Sequence, residues 1–286
     1  MARTTAFLLS ALLLTAPAFG GPEQTHTGVY KTKRFEIRYR PGSRAGAAAE
    51  RDGARAELDL ARICRLLEIA NDGAYRLFLY DDSAELGVIN KLSGVGAFAA
   101  GKDVHTPYGD DQTRAHEIAH VVTARLPKSG DEPRNMFFPD GIANALLEHV
   151  HGVHVHAVAK FYKVRKQLPG IAEKTGTTDF YAWLRKRPGF NGYDVAASWF
   201  RFLLDTRGVK AVKAYYTGTP PAKAFGKPLA VIERLWHKHL DAYVLRPEVE
   251  TLLRKKAGED VRFDRFELDP FLRLPADVRG KPTDWN

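Results

Sequence analysis

The chain has 286 residues, with 43 Lys and Arg against 34 Asp and Glu and a formal charge of +9. That length supports a hydrophobic core without disulfides, and the single cysteine, Cys64, excludes an internal bridge. The basic residues are scattered (Lys31, Lys33 and Arg34; Lys160, Lys163 and Arg165; Arg254, Lys255 and Lys256) and belong to no nucleic-acid module. They read as solvated faces, which excludes nucleic acid as the expected partner.

Residues 1–18 have the pattern of a secretory signal peptide. Met1-Ala2-Arg3 is a basic start, residues 6–14 are apolar except for Ser10, and Ala16-Pro17-Ala18 is a small-residue cleavage pattern. The apolar run is too short to span a bilayer, and no later stretch is long and apolar enough to do so. The expectation is an exported mature chain with no integral membrane segment. Without disulfides, it suits the bacterial periplasm best, with secretion as the other destination.

Residues 30–40 (YKTKRFEIRYR) alternate apolar and charged side chains, which predicts a half-buried strand stopped by Pro41-Gly42. Residues 47–70 have the period of a long amphipathic helix, on which Cys64 falls at an apolar position and reads as a buried, inert thiol. Residues 75–80 (YRLFLY) predict a second strand, and Asp81-Asp82-Ser83 opens a short helix. Residues 94–106 predict one or two glycine-broken strands. After Gly109-Asp110-Asp111, a helix N-terminus with Asp110 or Asp111 as its cap, residues 112–126 run without Pro or Gly until Pro127. A loop over 127–139 precedes another helix starting near Asp140. Further helices are expected around 178–185, 193–206, 209–216 and 229–243, with an extended tail over 246–286. No internal repeat is present.

The helix over 112–126 carries His116-Glu117-Ile118-Ala119-His120. Residues four apart lie on one helix face, so His116 and His120 can point two imidazoles at one metal ion. Glu117 lies about 100° around the helix. There it can reach a metal-bound water and act as a general base. Ala115, Ile118, Ala119 and Val122 form the adjacent apolar face. The cofactor this pattern predicts is Zn²⁺, with three protein ligands and an open position for water. A third histidine six residues after the second is absent, because Leu126 stands there. The carboxylate candidates on the following helix are Asp140, 20 positions after His120, and Glu148, two turns further on.

With these residues the chain resembles the gluzincins, the peptidase-MA-like zinc metallopeptidases that include the thermolysin and aminopeptidase branches. Asp140-Gly141-Ile142-Ala143 stands where those families have Glu-Gly-x-Ala on the second helix. The resemblance implies Asp140 as the third ligand, one methylene shorter than the usual Glu. Asn144, one turn later, is placed to hydrogen-bond a ligand histidine. It further implies a phenol donor to the oxyanion at the start of a later helix, where Tyr193 stands 53 positions after Asp140. Of these motifs only His116–His120 is specific; the rest of the likeness, from about residue 35 to 239, is order and spacing.

The expected fold is therefore α+β and zincin-like: a small mixed sheet with an active-site helix, then a mostly helical C-terminal lobe. The sequence divides into the signal peptide (1–18), an α+β part (28–126), a helical part of the same catalytic unit (127–245) and a tail (246–286). The expected activity is zinc-dependent hydrolysis of peptide or protein substrates, with His116, His120 and Asp140 on the metal, Glu117 as base and Tyr193 at the oxyanion. The rival readings are an inactive zincin-like scaffold that binds an envelope partner, and a zinc amidase acting on cell-wall peptide. The histidines at 149, 151, 154 and 156 fall outside the family pattern. They read as a solvated helix end, or as a secondary metal-loading site.

Overall fold

A computed structural model describes residues 21–92, 95–128, 133, 135–150, 152–175, 180–187 and 190–258. The signal-peptide pattern at 1–18 and the tail beyond residue 258 lie outside them. The described chain is a mixed α+β fold. After a short α1 (Pro22–Thr25), β1 (Gly28–Lys31) and β2 (Phe35–Tyr39) lead into α2 (Arg44–Leu66) and β3 (Tyr75–Tyr80). Then come α3 (Ser83–Asn90), β4 (Phe98–Ala100), β5 (Asp103–Pro107) and α4 (Asp111–Thr123). The sheet order is β1-β2-β3-β5-β4. Strands β2, β3 and β5 are parallel, and the outer strands β1 and β4 run antiparallel to their neighbours.

The alternating segment at 30–40 is a hairpin rather than one strand. The Thr32 side-chain oxygen accepts from the Phe35 amide at 3.1 Å and its hydroxyl donates to Glu57 on α2 at 2.6 Å, which fixes a turn at 32–34. Phe35 and Ile37 of the alternating set are fully buried in the core, and Tyr30 and Tyr39 pack against it half-buried. Helix α2 starts at the cap Ser43, whose side chain accepts from the Gly46 amide. It lies on the sheet through small residues. A Cβ on Gly53 would stand 3.0 Å from Ile37 Cδ1. Cys64 is buried in this face, and burial pushes its thiol pKa up.

The second half is helical. It comprises α5 (Phe137–Leu147), a small hairpin of β6 (His149–Val150) and β7 (Val153–His154), and α6 (Val155–Val164). These are followed by α7 (Ile171–Thr175), α8 (Phe180–Arg185), α9 (Gly192–Arg207), α10 (Val209–Tyr216), α11 (Pro221–Phe225), α12 (Leu229–Ala242) and α13 (Pro247–Gly258). Helix α9 is central to this half, burying Val195, Ala196, Trp199, Phe200 and Leu203. It packs on α5, α6, α10 and α12, with Trp199 edge-on to Trp236 of α12 at 5.6 Å. One continuous cluster of buried side chains runs from Ile37 and Leu77 in the sheet through Ile118 and Ile142 to Trp199 and Trp236. No helix among the described residues is long and apolar enough to cross a membrane.

Two further expectations are corrected. Residues 247–258 are helical, where an extended tail was expected from 246. Pro247 suits a first helical position, and Val249 and Leu253, one turn apart, are both buried. Helix α5 ends at Leu147 and does not run on as a solvated helix end. Glu148 takes a left-handed φ of 66° and the chain turns into the hairpin, with His154 and His156 buried at 4% and 1% exposure.

Candidate metal centre

Helix α4 packs against β4 and β5, α2 and α5. Asp110 caps it, accepting from the Thr113 amide at 2.9 Å. Ala115, Ile118, Ala119 and Val122 are buried and fix which way the helix faces. Arg114, 3% exposed, does the same from the α2 side. Its Nε and Nη2 donate to Asp59 Oδ2 at 3.2 and 3.0 Å, and its Nη1 donates to Asp111 at 2.8 Å. Asp52, fully buried, stands 4.0 Å from the guanidinium and accepts from the Gly109 amide at 2.8 Å. Apart from the local contact to Asp111, this ion network joins residues 55 or more apart, so the local sequence pattern does not announce it.

The predicted helix near Asp140 begins three residues earlier, at Phe137. The Asn135 side-chain oxygen accepts from the Phe137 amide at 3.0 Å, and Asp140 sits inside the first turn, its own amide bonded to Met136 O. Asp140 is therefore not the cap of its helix, and its carboxylate is available to α4. Gly141 follows because α5 lies close against α9: a Cβ there would stand 2.7 Å from Phe200 Cδ2 and 3.0 Å from Ala196 Cβ.

The structure brings His116, His120 and Asp140 together. The two Nε2 atoms are 3.0 Å apart, and each lies 3.5 Å from Asp140 Oδ1. The imidazoles are edge-to-face at 78°. Among the described residues, this trio is the group of His, Cys, Asp and Glu that converges closely enough to hold one metal ion. Asn144 Oδ1 accepts from His116 Nδ1 at 2.7 Å, which puts the ring proton on Nδ1 and leaves the Nε2 lone pair facing the trio. Burial pushes the Asp140 carboxyl up, but the two imidazoles beside it more than offset this and hold it below the usual carboxylate range. Its Oδ2 is buried with no hydrogen-bond partner.

The donor set fits zinc. A tetrahedral zinc with ligands at about 2.0–2.1 Å requires donors about 3.3–3.4 Å apart. The observed triangle of 3.0, 3.5 and 3.5 Å brackets that spacing. Two imidazole nitrogens and a carboxylate oxygen converge there, the nitrogen and oxygen donors that zinc takes. The unpartnered Asp140 Oδ2 is a further acceptor on the same carboxylate.

Of the other predicted residues, Glu117 is buried on α4 beside His116, at 7% exposure. Glu148 is elsewhere: Arg201 Nη1 on α9 donates to it at 2.8 Å, and it takes no part in the trio. Tyr193 is in the first turn of α9, half-buried and edge-to-face with Phe180 at 5.8 Å. It precedes by one turn Ala196, the residue that meets Gly141.

The second histidine cluster has a different character. His149 and His154 are register partners in the β6–β7 hairpin, with ring centroids 5.1 Å apart. His154 and His156 are 4.9 Å apart, and His156 and His239 of α12 are 4.6 Å apart. Trp236 donates to Ser198 Oγ at 3.1 Å, so the Ser198 hydroxyl can donate to His156 Nδ1 at 2.8 Å. Burial lowers the pKa of His154 to about 3 and that of His156 well below the ordinary value. His154 and His156 are the buried members of this packing cluster, with His149 and His239 half-buried beside them, and among the described residues it contains no second metal trio. His151 lies outside the described residues.

No protein-family model and no curated protein matches the chain. Solved structures of an M1 zinc metallopeptidase from Deinococcus radiodurans resemble it. One is 16% identical with a TM-score of 0.42, covering 82% of this chain and 51% of that one. A solved structure of a two-domain M1 zinc metallopeptidase mutant bound to L-arginine is 15% identical with a TM-score of 0.43, covering 81% of this chain and 51% of that one. The chain thus spans about half the length of the structures it matches. At this identity and TM-score the likeness assigns no activity. The functional reading rests on the chain's own side chains.

Proposed function

We propose that this chain is an exported zinc-dependent metallopeptidase, hydrolysing peptide bonds with His116, His120 and Asp140 holding the metal. The observation that carries the reading is the triangle of donor atoms at zinc spacing, with a carboxylic base candidate, Glu117, next to the first histidine on the same buried helix. When bound, zinc lowers the pKa of its water and polarises a carbonyl. The chain's own groups then act around it. Asn144 holds His116 in the tautomer that offers Nε2. Glu117 takes the proton of the attacking water and passes it to the leaving nitrogen. Tyr193 donates a hydrogen bond to the developing oxyanion. Strand β4 forms the edge of the sheet beside α4, a place where an extended peptide adds as a further strand. Peptide or protein is accordingly the substrate class, and the pattern at residues 1–18 supports export to the periplasm.

The test is zinc-loaded protein assayed on casein and on fluorogenic peptides, beside Glu117→Gln. The reading expects hydrolysis that the variant loses by at least about a hundredfold while retaining zinc. Full activity in Glu117→Gln refutes the mechanism. A zinc-loaded wild type that cleaves neither substrate refutes the function. A scaffold that only binds a partner has no use for a base at residue 117.

A further inference from the structure

We infer that His105 is a positioning residue for peptide binding, holding the edge strand β4 in place through a ring stack that crosses three strands. The inference rests on the peptidase reading above and concerns how its substrate is seated. In the sheet register, Phe78 of β3 pairs with His105 of β5, and His105 pairs with Phe98 of β4. All three side chains therefore point to one face. The His105 ring lies flat on Phe78 at 4.6 Å and 2°, and flat on Phe98 at 4.2 Å and 9°. This row stands on the face opposite Leu77, Leu79 and Val104, in a small cluster of its own with Tyr80 and with Leu86 and Ile89 of α3.

The imidazole is fixed within the row. Asn90 Nδ2 donates to the Tyr80 hydroxyl at 2.9 Å, so the Tyr80 proton goes to His105 Nδ1 at 2.8 Å. The ring proton is then on Nε2. Burial holds the pKa of His105 down to about 4, so the ring stays neutral near neutral pH. Strand β4 has three residues, and an edge strand that short has few backbone bonds to hold it. The next residue, Ala99, packs against the main core that contains α4, while Phe98 is clamped on the opposite face. The His105–Phe98 stack thereby sets the pitch of β4 beside the helix that carries His116 and His120. A preordered edge binds an extended chain at lower entropic cost than a loose one.

Two variants separate the stack from the hydrogen bond. His105→Phe keeps a flat ring and loses the acceptor, whereas His105→Asn keeps an acceptor and loses the stack. Both are made in zinc-loaded Glu117→Gln protein, which binds peptide without turning it over. Binding of a fluorescein-labelled, alanine-rich decapeptide and of a labelled dipeptide amide is followed by anisotropy. Hydrogen exchange of residues 98–100 and zinc content are measured on the same samples. His105→Asn is expected to weaken the decapeptide about tenfold, the upper end of what an aromatic pair contributes. It should also speed exchange at Ala99 and Ala100, leaving zinc content and dipeptide binding unchanged. His105→Phe should stay within about threefold of the parent. Decapeptide binding by His105→Asn at the parent level, or an equal loss in both variants, overturns the inference alone. Parent protein that binds neither probe overturns the peptidase reading, and the role of β4 with it.

Discussion

Asn144→Leu removes the acceptor behind His116 with little change in side-chain volume. In the native site Asn144 Oδ1 accepts from His116 Nδ1 at 2.7 Å, and Asn144 is 7% exposed. Leucine leaves that N–H facing an apolar group. An unmet donor of this kind costs about 1–3 kcal/mol. At about 1.4 kcal/mol per decade, this corresponds to about 10–100-fold in zinc affinity, the range found when such outer partners are lost. Asn144→Asp moves the other way: a carboxylate accepts a stronger, charge-assisted bond, so zinc should bind at least as tightly as in the wild type. Competition against a chromogenic chelator near neutral pH measures all three proteins. Undiminished affinity in Asn144→Leu, or an equal loss in both variants, refutes the role assigned to this contact.

The ion network behind α4 supplies a stability prediction. Arg114→Met should lower unfolding free energy in urea by about 3 kcal/mol, because Asp52 and Asp59 stay behind without their shared cation; adding Asp59→Leu should recover part of the loss. His105 supplies a pH dependence. Its folded pKa is about 4 against 6.5 for the free side chain, so between those values the unfolded chain binds a proton that the folded chain refuses. Stability should therefore be complete above about pH 6.5 and fall as the pH drops toward 4, by about 3 kcal/mol from this one group. Comparing His105→Phe with wild type in urea at several pH values should show that part of the slope removed.

The local motif was legible because its information is local. A cap at Asp110, an apolar face and two histidines four apart fix a helix and its chemistry within 15 residues. Asp140 came within reach only through its spacing to His120 and the resemblance that spacing supports. Periodicity placed its helix three residues late, since the start is set by Asn135 rather than by an apolar pattern. The hairpin at 149–154 could not be read from residues that also suit a helix. It exists because Glu148 turns left-handed and pairs with Arg201, 53 positions away, while His154 and His156 are buried by α9 and α12. The charges around Arg114 and the Phe78–His105–Phe98 row are non-local in the same way. Each residue is ordinary by itself, and only sheet register and helix packing bring the partners together. Helix α13 was hidden by its composition, with few apolar residues beyond Val249, Leu252 and Leu253 in a charged run.

The measurement closest to the central claim is zinc stoichiometry combined with X-ray absorption at the metal. One zinc per chain is expected, with two imidazole nitrogens and a carboxylate oxygen among its ligands. Zinc should be lost in His116→Ala and Asp140→Ala and retained in Glu148→Ala and His154→Ala. A chain that takes up no stoichiometric zinc, or one whose zinc survives Asp140→Ala and disappears with His154→Ala, contradicts it.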